Sequence, residues 1–223
     1  MWCIKRGEDA AFVCQMENVL EVYRRPFDPA RPLVCMDETT KQCTKEVRTP
    51  IAATANHPAR FDAEYERNGV GHLLLFYAPL ENWRRVHVAD NHAGVQWAEC
   101  VRHLLEEIYP EAERVTLVMD NLSTHAGSSL YRAFAPDQAR ALLDRLEFVY
   151  TPKHGSWLNL AECEFSVLAR QCLDRRIADR DKLEREIRAW EAPRNESDEP
   201  VRWRFTTEEA RVKLAHLYPS VSS

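Results

Sequence analysis

Leu33-Val34-Cys35-Met36-Asp37-Glu38 and Thr116-Leu117-Val118-Met119-Asp120-Asn121 each carry an apolar run directly into an aspartate. Short apolar runs of this kind, bounded by Arg31-Pro32 on one side and by Asn121 and a polar stretch on the other, predict strands buried on both faces. Asp37 and Asp120 are then expected at the carboxyl ends of those strands. In open α/β sheets the ligand crevice lies outside those ends, so two carboxylates converge there when the strands are parallel neighbours. A parallel pair needs a crossover, and Trp97, Val101, Leu104, Leu105 and Ile108 supply one at helical spacing.

A third acid follows in Asn159-Leu160-Ala161-Glu162, which opens a helix. Ala161, Phe165, Leu168 and Cys172 recur at helical spacing and face the core, while Arg170, Asp174, Arg175 and Arg176 face water. Glu162 and Glu164 are two residues apart, diverge on a helix and cannot serve one site. Glu162, in the first turn with Asn159 three residues before it on the same side, joins the aspartates; replacing Glu164 is expected to be mild. Singly, an aspartate at a strand end forms turns or caps, and a first-turn glutamate favours the helix dipole. The ordered set of three instead suits a pair of hard divalent cations working on a phosphodiester.

Asp37-Glu38, then Asp120-Asn121-Leu122-Ser123-Thr124-His125, then Tyr150-Thr151-Pro152 through Ser156-Trp157-Leu158-Asn159-Leu160-Ala161-Glu162 resemble the catalytic blocks of the IS630 group within the IS630/Tc1/mariner transposases. Supporting matches are Arg60-Phe61-Asp62-Ala63-Glu64-Tyr65-Glu66-Arg67-Asn68-Gly69, Trp203-Arg204-Phe205-Thr206 and Ala210-Arg211-Val212-Lys213-Leu214, so the resemblance spans nearly the whole chain. It implies an α/β, RNase H-like fold: a mixed five-stranded sheet flanked by helices, with a C-terminal helical extension. It further implies that Asp37, Asp120 and Glu162 are catalytic and hold two divalent ions, Mg²⁺ or Mn²⁺. The implied activity is that of a DDE transposase, which hydrolyses DNA at transposon ends and joins the freed 3′-hydroxyl to target DNA within a homodimer or higher synaptic assembly. Two departures stand beside the match: Glu164 occupies a place where a bulky aromatic is expected, and Lys153-His154-Gly155 replaces a small polar run. Asn121 and Asn159 are candidates for orienting the carboxylates or a metal-bound water. His125 is a candidate ligand or proton shuttle, against the alternative of bonding nearby backbone.

The expected organisation is a helical lead-in over 1–30, a catalytic domain over 31–190, and a C-terminal loop and helix over 191–223 packed on the same domain. The lead-in carries one amphipathic helix, with Phe12, Met16, Val19, Leu20 and Tyr23 on one face, and not a helix-turn-helix. Met1-Trp2-Cys3-Ile4 looks like a start partway into a longer frame, so a truncated transposase lacking its end-recognition module is expected. The alternatives are an inactive remnant acting as a dominant-negative partner, and a structure-specific nuclease. Leu73-Leu74-Leu75-Phe76-Tyr77 and Trp83-Arg84-Arg85-Val86-His87-Val88 predict a hairpin beside the first strand. Leu183, Ile187 and Trp190 mark a helix, Pro193 to Pro200 an exposed loop, and Thr206 with Glu209 a capping box.

At 223 residues and 45% hydrophobic, the chain can bury a full core. Its formal charge of −5 argues against strong nonspecific DNA binding, which leaves local clusters as candidate contacts: Arg84-Arg85, Arg170 with Arg175, Arg176 and Arg180, and Arg202 with Arg204. Seven cysteines without a C-x-x-C pair argue against a zinc ribbon or a disulfide framework and fit a reducing, cytoplasmic setting, nucleoid-associated when on DNA. Cys35 and Cys172 fall on core faces.

Overall fold

The computed structural model describes residues 7–91, 93–197 and 199–220; the Met1-Trp2-Cys3-Ile4 start lies outside the described residues. In chain order the main elements are α1 (Ala10–Arg24), β1 (Leu33–Glu46), β2 (Tyr65–Ala78), β3 (Trp83–Ala89), α2 (Gly94–His103), β4 (Val115–Met119), α3 (Gly127–Ala133), α4 (Pro136–Asp144), β5 (Leu146–Tyr150), α5 (Leu160–Leu168), α6 (Arg180–Asn195) and α7 (Thr207–Lys213). The strands form one mixed sheet in the order β3-β2-β1-β4-β5. β1 pairs in parallel with β4 through Leu33–Cys35, and β4 in parallel with β5. The expected hairpin, β2 and β3, adds antiparallel strands on the other side of β1.

Side chains alternate across a strand, and the sheet's two faces fill accordingly. Leu33, Cys35, Leu73 and Leu75 pack with α1, α5, α6 and α7. Val34, Met36, Leu74 and Phe76 pack on the opposite face with α2, α3 and α4. The predicted inward residues of α1 and α5 are buried, Cys172 included. α2 runs into a π-helical turn at Leu104–Ile108. There the Arg145 guanidinium donates to the carbonyls of Leu105, Tyr109 and Ala112, satisfying acceptors a helix end leaves free. Among the described residues no helix is long and apolar enough to cross a membrane.

Two expectations are corrected. β1 does not end at Asp37 but continues through polar residues to Glu46, because β2 supplies backbone partners along its length. Asp37 therefore stands mid-strand, two residues past the last β1–β4 pair at Cys35. The β1–β2 register shifts between Gln42 and Thr44, and the outer ends lead into an arm over residues 47–64 closed by bridges Ile51–Arg60 and Thr54–His57. The loop expected from Pro193 begins only after Asn195: Pro193 lies in the last turn of α6. That turn is held from outside, by Arg194 on Glu164 and by Asn195, whose Oδ1 accepts from the Arg84 backbone N–H and whose Nδ2 donates to the Arg84 carbonyl. The capping box of Thr206 and Glu209 is present.

Candidate active site

Three elements bring the three acids to one cleft. Asp37 comes from β1, Asp120 follows β4 directly, and Glu162 lies in the first turn of α5; all line a cavity of about 640 Å³, together with Glu38, Ser156 and Arg170. Burial pushes the Asp37 carboxyl up to about 7, and the negative charges of Asp120 and Glu162 push the same way. The Glu38 backbone N–H, 2.8 Å from Asp37 Oδ1, and the charge on His125 oppose that shift. Burial also raises Glu162, against a hydrogen bond from Ser156. Glu162 Oε2 is buried with no hydrogen-bond partner.

This donor set fits a hard divalent cation: carboxylate oxygens only, charges that repel one another, and a buried oxygen still lacking a partner. Among the described residues no three His, Cys, Asp or Glu side chains already stand close enough to enclose an ion.

Asn159 caps α5, its Oδ1 accepting from the Ala161 N–H at 3.1 Å, while its Nδ2 donates to the Met36 carbonyl at 2.8 Å. It thus fastens the start of the Glu162 helix to the residue before Asp37, and acts on the acids through the backbone. Tyr23 of α1 supports the same turn: its hydroxyl donates to the Leu158 carbonyl at 2.7 Å and accepts from the Leu160 N–H. Asn121 is exposed and lies off the cleft lining.

His125 is 1% exposed and lies between two carboxylates, Nδ1 2.8 Å from Asp120 Oδ1 and Nε2 3.3 Å from Glu38 Oε2. Its ring stacks on Trp97 at 6.0 Å between centroids. Burial disfavours the charged ring, but the bonds to Asp120 and Glu38 outweigh it and hold the imidazolium up to about 9. Glu38 and Tyr23 are the participants the sequence reading missed. For Glu38 a signal existed: on a strand, neighbours point to opposite faces, so Asp37 toward α5 sends Glu38 toward the Trp97 side.

Glu164, expected to be mild, is a buried and ion-paired residue. It is 5% exposed, its Oε1 lies 2.9 Å from Nε of the fully buried Arg84, and Arg194 joins from α6. Arg84 is thus removed as a DNA contact. Arg175, Arg176 and Arg180 hold ion pairs with Glu186, Glu46 and Asp90, whereas Arg202 and Arg204 are exposed.

Residues 32–184 match the family described as DDE superfamily endonuclease. Among solved structures, the mariner Mos1 paired end complex with Mg is similar at a TM-score of 0.60 and 18% identity, over 99% of this chain and 66% of that one. The Mos1 strand transfer complex is similar at 0.59 and 16%, over 99% and 68%. A Mos1 mariner paired end complex with Mn is similar at 0.52 and 15%, over 86% and 60%. The likeness shows the fold, that of the RNase H-like transposase catalytic domain, and the chain spans about three fifths to two thirds of those proteins. No curated protein sequence matches the chain significantly.

Proposed function

Since the chain belongs to the DDE superfamily endonucleases, we propose that it is the catalytic part of an IS630-type transposase, cutting DNA at transposon ends and joining them to target DNA as a dimer or larger assembly, in the cytoplasm. The observation that carries this is the meeting of Asp37, Asp120 and Glu162 in one cleft, with Asp37 feeling the charge of both others. The Mos1 complexes described with Mg and with Mn support a divalent metal here.

When bound, two Mg²⁺ or Mn²⁺ ions supply Lewis acidity at the scissile phosphate and a lowered pKa at the attacking water or 3′-hydroxyl. The chain's own part is placement. Asp37, held opposite Leu75 of β2 just past the parallel pairing with β4, is the fixed ligand; Asp120 is steadied by His125, which also meets Glu38; Glu162 is set by the cap that Asn159 ties to Met36. Pre-set oxygens of this kind lower the reorganisation needed when charge develops on the phosphate.

Calorimetric titration with Mn²⁺ tests the reading without knowledge of the DNA ends. Saturable binding lost in Asp120→Asn is expected. Asp37→Ala, Asp120→Ala and Glu162→Ala should each abolish Mn²⁺-dependent nicking of plasmid DNA while leaving far-UV circular dichroism unchanged. Binding that survives Asp120→Asn would sink the assignment.

A further inference from the structure

The cleft does not end at the acids. It passes along β1, by Thr39, Thr40 and Lys41, beneath Arg170 and Asp174. A second cavity of about 660 Å³ continues from the shared Lys41 and Asp174 to Thr44, Tyr65, Arg67 and Arg176. From Asp37 to Thr44 the strand covers about 23 Å at ~3.3 Å per residue. Charge inverts over that distance. Asp37, Glu38, Asp120 and Glu162 crowd the inner end, whereas the lining of the outer cavity holds Lys41, Arg67, Arg175 and Arg176 with one acid, Asp174, while Glu186 and Glu46 pair with Arg175 and Arg176 from outside the lining.

In a chain of net charge −5, most arginines are committed to acids. Arg175 and Arg176 have Glu186 and Glu46, and Lys41 Nζ is bound to the carbonyls of Leu173 and Arg175. Arg67 and Arg170 are exposed and have no acid partner among the described residues. One lies at the outer end of the groove and the other beside the acids. Tyr65 adds an aromatic face, with the Arg176 guanidinium 5.4 Å from its ring centroid.

A groove with a cation-seeking end and an anion-seeking end matches a phosphodiester chain whose reacting phosphate would need a metal ion held by the acids and whose neighbours need direct cations. We propose that this groove seats the DNA backbone flanking the cleaved bond, with Arg67 and Arg170 as its phosphate contacts; the assignment rests on the function proposed above. It also fixes direction: the flanking DNA leaves the acids along β1 toward the arm, away from α2 and α4.

Fluorescence anisotropy of a labelled DNA duplex, read from 50 to 200 mM NaCl without divalent metal, tests it. Each phosphate contact contributes about 0.9 to the slope of log K against log salt. Arg67→Ala and Arg170→Ala should each weaken binding and flatten the slope by about that amount, and the double variant by about twice as much. Arg140→Ala, on α4 against the opposite sheet face, should leave the slope unchanged. Unaltered slopes in both groove variants, or an equal loss in Arg140→Ala, would overturn the proposal, as would absence of duplex binding at 50 mM. The failure of the functional reading is separate: it shows as Mn²⁺ binding indifferent to Asp120→Asn, whatever the salt slopes.

Discussion

A single imidazole joins the two sheet faces at the site. His125 meets Asp120 on one ring nitrogen and Glu38 on the other, so its removal takes a hydrogen-bond partner from a proposed ligand and from a second carboxylate at once. Partners that orient a metal's ligands typically contribute 10- to 100-fold in affinity or activity. His125→Ala should therefore weaken Mn²⁺ binding by about that range in calorimetry, with the fold kept. The residue scale was also where the sequence was most readable. Asp37, Asp120 and Glu162 stand out only as an ordered set, because each alone reads as a turn former, a cap or a first-turn acid. Glu38 did not, since an acid beside an acid on a strand announces nothing until the opposite face is known.

The elements were legible where burial is two-sided. β4 and the inner part of β1 read from their apolar runs, whereas the outer half of β1 is polar and exists through its pairing with β2. The short helices α3 and α4 have no side-chain cap bond, and α4 was passed over although Pro136 opens it and Ala139 and Leu142 stand at helical spacing. Glu164 shows how an element is fixed by charge. Its replacement by alanine leaves Arg84 buried without its acid, a change that typically costs about 3 to 5 kcal/mol. Urea unfolding of Glu164→Ala should show a loss of that order.

His87 couples β3 to α2 through His103, with ring centroids 5.4 Å apart. Burial, with the His103 charge adding, lowers its imidazole from 6.5 to about 4, so the fold holds it neutral. The unfolded chain takes up the proton first as pH falls. Stability from this group is thus complete above 6.5 and lost on the way to 4, by about 2 kcal/mol at pH 5. Unfolding free energies at pH 7.5 and 5 should differ less, by that amount, in His87→Gln than in the parent chain.

At the scale of the whole molecule, the helix of the expected lead-in and the C-terminal helix share one core. Phe12, Met16, Val19, Leu20 and Tyr23 are buried with Ala210, Leu214 and Leu217, and the Asp9 N–H donates to the Leu217 carbonyl at 2.8 Å. Burying one large apolar side chain contributes about 1.5 to 3 kcal/mol, against a total stability of about 5 to 15 for an ordinary domain. Loss of α1 exceeds what such a core can spare. The full chain should unfold in urea in one transition by both fluorescence and circular dichroism, and a chain lacking residues 1–30 should show no cooperative transition. The amphipathic pattern of α1 was plain in the sequence; its place was not, because periodicity names a face without naming its partner.

The register irregularity between Gln42 and Thr44 has a consequence for how such a chain can change. In a regular ladder, one residue gained or lost flips every side chain beyond it to the other face. Here a slip joint already sits between the reacting end of β1 and the arm. A change of length in the arm over residues 47–64 is taken up on the far side of that joint, and the phase of Asp37 is kept.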